Sequence, residues 1–283
     1  MKVQLDFNKT VDENASSYFE KAKKSRKKIT GVKETINKFT KVNEVENAKE
    51  IKVKEKFTKL VNSKKLWFEK FKWFISSDGY LIIAGRDATT NEIIIKKHTT
   101  SKDIVFHTDM AGSPFAVIKH DSSDVKLIDE NLKIPKFDKI PEQTLKETAS
   151  FVALHAKAWK LGLTEVKVFY VTPEQVSKEA NPGEFMAKGS FMIRGKTNYI
   201  HYDFQYAVGL INNQAICAPI SAIQKYSKTF VELLQGNEKT SVVAKKIRQI
   251  LKEKEQKDVS VDDLVKVLPA GGCEIKKERI RKY

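Results

Sequence analysis

Between Lys64 and Arg86 the chain reads KKLWFEKFKWFISSDGYLIIAGR, two tryptophans and three phenylalanines interleaved with four lysines ahead of an Asp-Gly turn and an apolar run. Asp78-Gly79 between two β-prone segments predicts a hairpin, with Trp73, Phe74 and Ile75 on one strand and Tyr80 to Ala84 on the other. Aromatic and β-branched residues at this density need a covering layer, so the hairpin belongs to a packed sheet. Trp67 and the cations fall at its margin. Lys64, Lys65, Lys70 and Lys72 can neutralise phosphates, while Trp67 offers a flat face for a base.

The formal charge of +16 over 283 residues is unevenly spread. Residues 1–72 hold 20 Lys/Arg against 10 Asp/Glu, residues 73–211 hold 17 against 17, and residues 212–283 hold 15 against 9. A neutral middle between basic flanks suits a scaffold presented to a large polyanion. Solvated Lys-rich helices account for part of the lysine excess on either reading. With Cys217 and Cys273 as the two cysteines and no CxxC spacing, neither a zinc knuckle nor a disulfide framework is expected, and a reducing compartment is. No window approaches eighteen consecutive apolar residues, so the expectation is a soluble, cytoplasmic protein without a membrane partner.

Along the chain, apolar residues at three-to-four spacing predict a helix over Asp12 to Phe39, capped at Asp12 or an adjacent polar residue, with a basic face at Lys21 to Lys28. A second Lys-rich helix over Val42 to Val61 would make a hairpin, a short coiled coil. A central domain follows over 66–211, and a basic C-terminal module over 212–283 with an amphipathic helix at Thr240 to Lys254. Within the central domain, Asp87 caps a helix over Ala88 to Lys97, against the strand propensity of Ile93-Ile94-Ile95. Ile104 to Thr108 and Phe115 to His120 are predicted strands. Pro141 opens a helix whose stripe runs from Leu145 to Trp159, with Gly162 as its stop, and His155 lies near that stripe as a half-buried structural residue. Val166 to Val171, Ser190 to Ile193, Tyr199 to Ile211 and Gln214 to Ala218 are strands, and Ser221 to Gln235 is mixed. The fold class is α+β, a mainly antiparallel sheet with packed helices, preceded by a helical hairpin and followed by a small helical module.

Chemistry-bearing residues are few. His107, Asp109, His120 and Asp121 could bind a metal or act as acid and base, but no third ligand has a diagnostic spacing, and such residues more often anchor a loop, here Ala111 to Pro114. Ser177, His155 and Asp109 lack a nucleophile elbow and an oxyanion signal. Neither a catalytic site nor a cofactor is expected. Arg194-Gly195-Lys196 is more informative, since a glycine at a strand end lets backbone approach a ligand while two cations reach forward with Tyr199; a solvated hairpin tip is the plainer reading. Gly85-Arg86-Asp87 leaves two options open, Arg86 on a phosphate or Arg86 paired with Asp87.

Three long motifs carry a resemblance. They are WFEKFKWFISSDGY at 67–80 with Gly85-Arg86-Asp87 and Asn91-Glu92, FHTDMAGSP at 106–114, and VTPEQVSKEANPGEFMAKGSFMIRGKTNY at 171–199. In this order they resemble the NFACT-R domain of the RqcH/NEMF ribosome-quality-control family, of archaeal type. The segment ASSYFEKAKKSRKK at 15–28 resembles the first helix of that family's coiled-coil region, here shortened. The resemblance implies an RNA-binding protein that engages the large ribosomal subunit and tRNA or rRNA in rescue of stalled ribosomes. The 65 residues ahead of NFACT-R cannot hold the family's NFACT-N half, so a separate NFACT-N polypeptide is an expected partner. The candidate RNA contacts are Lys64, Lys65, Trp67, Lys70, Lys72, Arg86, Lys96, Lys97, His107, Lys178, Arg194 and Lys196. Two other classes stay in view: a standalone NFACT-R coiled-coil adaptor for nucleic acid or protein, and an RNA- or DNA-processing enzyme using His107 and Asp109.

Overall fold

The computed structural model describes residues 4–8, 10–32, 66–135, 139–163, 165–179, 186–255 and 258–276. The chain divides into two compact units, Met1–Lys65 and Leu66–Tyr283. In the first, helix α1 covers 11–32. It starts on a capping box at Thr10, two residues before Asp12: the Thr10 hydroxyl accepts from Glu13 N at 3.3 Å and the Glu13 carboxylate accepts from Thr10 N at 2.8 Å. Lys21, Lys23, Lys24, Arg26, Lys27 and Lys28 are all exposed on α1. The second helix expected over Val42 to Val61, and with it Lys64 and Lys65, lies outside the described residues.

The second unit is α+β, and every strand pair in it is antiparallel. Its strands are β1 (Lys72–Ile75), β2 (Leu81–Ala84), β3 (Ile104–Thr108), β4 (Ala116–Ile118), β5 (Val168–Val171), β6 (Val176–Ser177), β7 (Met192–Ile193), β8 (Asn198–Ile200), β9 (Tyr206–Ile211), β10 (Gln214–Pro219), β11 (Phe230–Gln235) and β12 (Cys273–Ile275). Its helices are α2 (Ala88–Lys97), α3 (Glu142–His155), α4 (Lys157–Lys160), α5 (Ile220–Tyr226), α6 (Thr240–Glu255) and α7 (Val261–Val267). A six-stranded sheet runs β1-β2-β4-β3-β5-β8, a four-stranded sheet β10-β9-β11-β12, and β6 pairs with β7. The predicted hairpin is present, with Trp73 opposite Ile83 and Phe74 opposite Ile82, and Gly79 N donating to Ser76 O at 2.9 Å in the turn.

Helix α3 packs against strands of both large sheets, β3 and β10 among them, and Phe151 meets Phe74 at 4.6 Å between ring centres. Phe74, Leu81, Ile82, Ile83, Val105 and Phe106 are fully buried beside it, each contributing about 1.5–3 kcal/mol on removal from water. A second core gathers Leu154, Trp159, Val208, Ile247, Leu251 and Leu264 under α6 and α7.

Two predicted elements and one residue come out differently. The helix from Pro141 breaks at Ala156 (ψ 156°), because Gly112 O captures Lys157 N at 3.0 Å; α4 then resumes and turns Trp159 into the second core. The strand expected over Tyr199 to Ile211 is two strands in two sheets. Residues 201–205 cross between them, pinned where Tyr202 OH donates to Val166 O at 2.9 Å and Ser150 Oγ donates to Asp203 O at 2.7 Å. Trp73, expected in the core, is half-buried. The second sheet takes β9 from before position 212 and β10 to β12 from after it.

Candidate nucleic-acid interface

The long connection between β5 and β8 is built around Gln175. Its side chain accepts from Thr172 N at 3.1 Å, closing a short 3-10 turn at Pro173–Gln175, and its amide nitrogen donates to Arg194 O at 2.8 Å and Lys196 O at 2.9 Å. Arg194 N returns a bond to Gln175 O at 2.8 Å. Gly195 between the two cations has φ 82°, a left-handed conformation that a side chain would strain. The Arg194–Lys196 turn is thus splinted from below while both side chains are exposed. Arg194 pairs with Glu179 at 3.6 Å, with both partners more than half exposed, an interaction worth little in water. Lys196 forms no ion pair among the described residues.

The same connection is anchored on α2. Asp87 caps that helix, accepting from Thr90 N at 2.8 Å, and this bond first of all holds its carboxyl below the usual range. Lys178 Nζ lies 2.8 Å from Glu92, donates to Ala187 O and Ser190 O, and sits 5.0 Å over the Phe191 ring. Lys178, followed by Gly189 N, holds the Glu92 carboxyl down to about 2. Gly189 is the close-approach point: a Cβ there would stand 2.5 Å from Ala88 Cα. Lys178 therefore spends its charge on tethering the loop.

At the other end of α2, His98 is the C-cap and stacks on Trp67, 4.5 Å between ring centres at 14°. Lys70 Nζ lies 3.2 Å from His98 Nε2 and 4.9 Å over the Phe71 ring. Burial first, then Lys70, Lys119 and Lys97, hold the imidazole below its ordinary value, so it is neutral at pH 7 and accepts from the ammonium. Exposed Lys96 and Lys97 occupy the last turn. Glu92 and His98 are separated by about 9 Å of helix rise. One helix thus positions both the splinted Arg194–Lys196 loop and the Trp67–His98 stack, with two lysines between. Sequence reasoning missed His98, although it directly follows Lys96-Lys97; its partner Trp67 lies 31 positions earlier.

The remaining candidates sit elsewhere. Lys72 points inward, its Nζ 2.8 Å from His155 Nδ1. Arg86 forms no ion pair with Asp87 among the described residues. Its Nη2 donates to Phe71 O at 2.9 Å, its Nε to Lys70 O at 3.2 Å and its Nη1 to Lys266 O at 3.2 Å, while Asp87 serves the helix cap. His107 Nδ1 donates to Thr108 O at 2.7 Å, its Nε2 faces Ser113 Oγ at 3.1 Å, and its ring stacks on Phe115 at 4.1 Å. Burial chiefly lowers its pKa, and the residue fastens the 108–113 loop.

Residues 70–195 match the family model described as NFACT protein RNA binding domain. The chain is 39% identical over 225 residues to the Archaeal Rqc2 homolog aRqcH of Methanocaldococcus jannaschii, covering 78% of this chain and 31% of that protein. It is 36% identical over 188 residues to the Ribosome quality control complex subunit NEMF of Homo sapiens, covering 66% and 16%. The chain thus spans under a third of the length of these relatives. The solved C-terminal part of the fibronectin/fibrinogen-binding protein from Streptococcus suis aligns at 18% identity and TM-score 0.36 over 47% of this chain and 46% of that one, too loosely to carry an argument. With α2, Lys70 and Arg194 inside the matched residues and a relative named for ribosome quality control, this chain carries an NFACT-R RNA-binding domain and matches the RqcH/NEMF family.

Proposed function

We propose that the chain grips structured RNA on the large ribosomal subunit, together with tRNA, during rescue of stalled ribosomes in the cytoplasm. The observation that carries this reading is the Arg194-Gly195-Lys196 turn, two outward cations on a backbone fixed by Gln175. Rigid presentation limits the ordering cost of gripping a phosphate. The role is binding without catalysis, since His107 is engaged in holding its own loop.

Replacing Arg194 and Lys196 together by Gln should change stability by only about 0.5 kcal/mol while weakening binding to tRNA or to large-subunit particles. Melting temperature and RNA affinity measured on the same protein decide it: a large fall in melting temperature with normal affinity would make these two cations structural. Helix α1 supplies the sequence-independent share. Replacing Lys23, Lys24, Arg26, Lys27 and Lys28 by Gln should flatten the dependence of log affinity on log salt by about 0.7–0.9 for each phosphate that is no longer neutralised. An unchanged slope would place that helix against protein, as in the adaptor reading. Co-sedimentation with large subunits through sucrose gradients at moderate salt tests the ribosomal role itself.

A further inference from the structure

Behind Arg86, the second unit carries a small solvent-open cleft whose lining includes Lys72, Trp73, Arg86, His155, Cys217 and Lys266. Phe151, Ala215 and Val267 complete the wall, so no carboxylate lines it. Strand β1 delivers Lys72 from a position between the buried Phe71 and Phe74. The ammonium uses one donor on His155 Nδ1 at 2.8 Å, and burial followed by repulsion from Lys72 and Arg86 keeps that imidazole neutral. Arg86 is fixed by the carbonyls of Glu69, Lys70, Phe71 and Lys266, which leave one of its five N–H groups uncommitted. Lys266 has its own charge met at the rim by Asp263 at 2.8 Å. The Cys217 thiol, raised by burial, stays protonated.

Lys72 and Arg86 therefore face one half-buried space lined by a neutral imidazole, a neutral thiol and no carboxylate, with Asp87 acting on Arg86 from outside the lining. Buried charges are ordinarily paired, because leaving water is costly without a partner. Burial, then Arg86, already pushes the Lys72 ammonium down to about 8. An oxyanion would relieve both effects: two fixed cations with N–H donors to spare suit the oxygens of a phosphate group. We propose that this cavity is a phosphate-group site, holding one tetrahedral oxyanion between the Lys72 ammonium and the Arg86 guanidinium. The phosphate comes either from the free ion or from RNA, and only the second source rests on the RNA-binding reading.

The test is acylation of Lys72 by acetic anhydride in the intact chain at pH 8, quantified by peptide mass spectrometry, with sodium chloride at matched ionic strength as the reference. An anion beside Lys72 favours its charged form, and a rise of one pKa unit would slow labelling about fivefold. Exposed Lys196 serves as the internal control for inorganic phosphate. Slowing by inorganic phosphate identifies a free-ion site, and slowing by a short RNA in phosphate-free buffer identifies an RNA phosphate as the occupant. Lys72 labelling unchanged by both overturns the proposal, even where the RNA binds by co-sedimentation; slowing by phosphate with no RNA binding would sustain it while the functional reading fails. Inorganic phosphate should also raise the melting temperature above the chloride reference, and Lys72→Gln should abolish that rise. An equal rise in the variant would overturn the site.

Discussion

Cutting Trp159 to alanine is expected to lower the unfolding free energy by about 3–5 kcal/mol. The side chain is 2% exposed and stacks on Phe204 at 5.4 Å while meeting Tyr206 edge-on at 5.5 Å. Its indole N–H donates to Gly272 O at 3.0 Å, and its own carbonyl accepts from Gln235 at 2.7 Å, so it joins α4 to the end of the β11–β12 pair where Gln235 lies opposite Cys273. Alanine leaves a cavity and strips the Gly272 carbonyl of its donor, and the two costs add. Chemical denaturation monitored by far-UV circular dichroism measures the change; a loss below about 1 kcal/mol would mean that the site collapses around the missing ring.

The second large effect is expected at Lys119. Its ammonium pairs with the Asp103 carboxylate, with side chains 10% and 0% exposed, and also donates to His98 O at 2.8 Å. Asp103 accepts in addition from Thr100 N at 2.7 Å and His120 N at 2.9 Å, so it is the knot of the turn before β3. Lys119→Met would strand a buried carboxylate and should cost about 3–5 kcal/mol. Because His98 caps α2 and stacks on Trp67, the same substitution should loosen the basic-aromatic end of the surface. Equilibrium unfolding in urea gives the first quantity; stability matching the parent chain would show that the carboxylate finds water.

What was legible in the sequence depended on local signals. Asp78-Gly79 announced a hairpin, and Asp87 with Thr90 overrode the strand propensity of Ile93 to Ile95 because a satisfied capping box outweighs a few tenths of a kcal/mol per β-branched residue. The loop-anchoring reading of His107 likewise agrees with its bonds to Thr108 and Ser113. Partnerships across long separations were not legible. Gln175 reads as an ordinary turn residue, yet it splints positions 194 and 196; Lys72 reads as a surface cation, yet it meets His155 83 positions away. The break at Ala156 has the same origin, since a carbonyl from Gly112 takes the amide that would have continued the helix.

The division of the expected strand into β8 and β9 matters when the protein is considered as a mechanical part. A pull on the Arg194–Lys196 turn travels along the chain into β8, an edge strand bonded to β5 through Val168, Phe169 and Tyr170. It then runs through residues 201–205 into β9, which is gripped on both sides, by β10 and by β11. Force entering at the exposed turn is thus handed from one sheet to the other through five residues of main chain, and the weaker edge pairing is backed by a strand whose release would require two ladders to yield together.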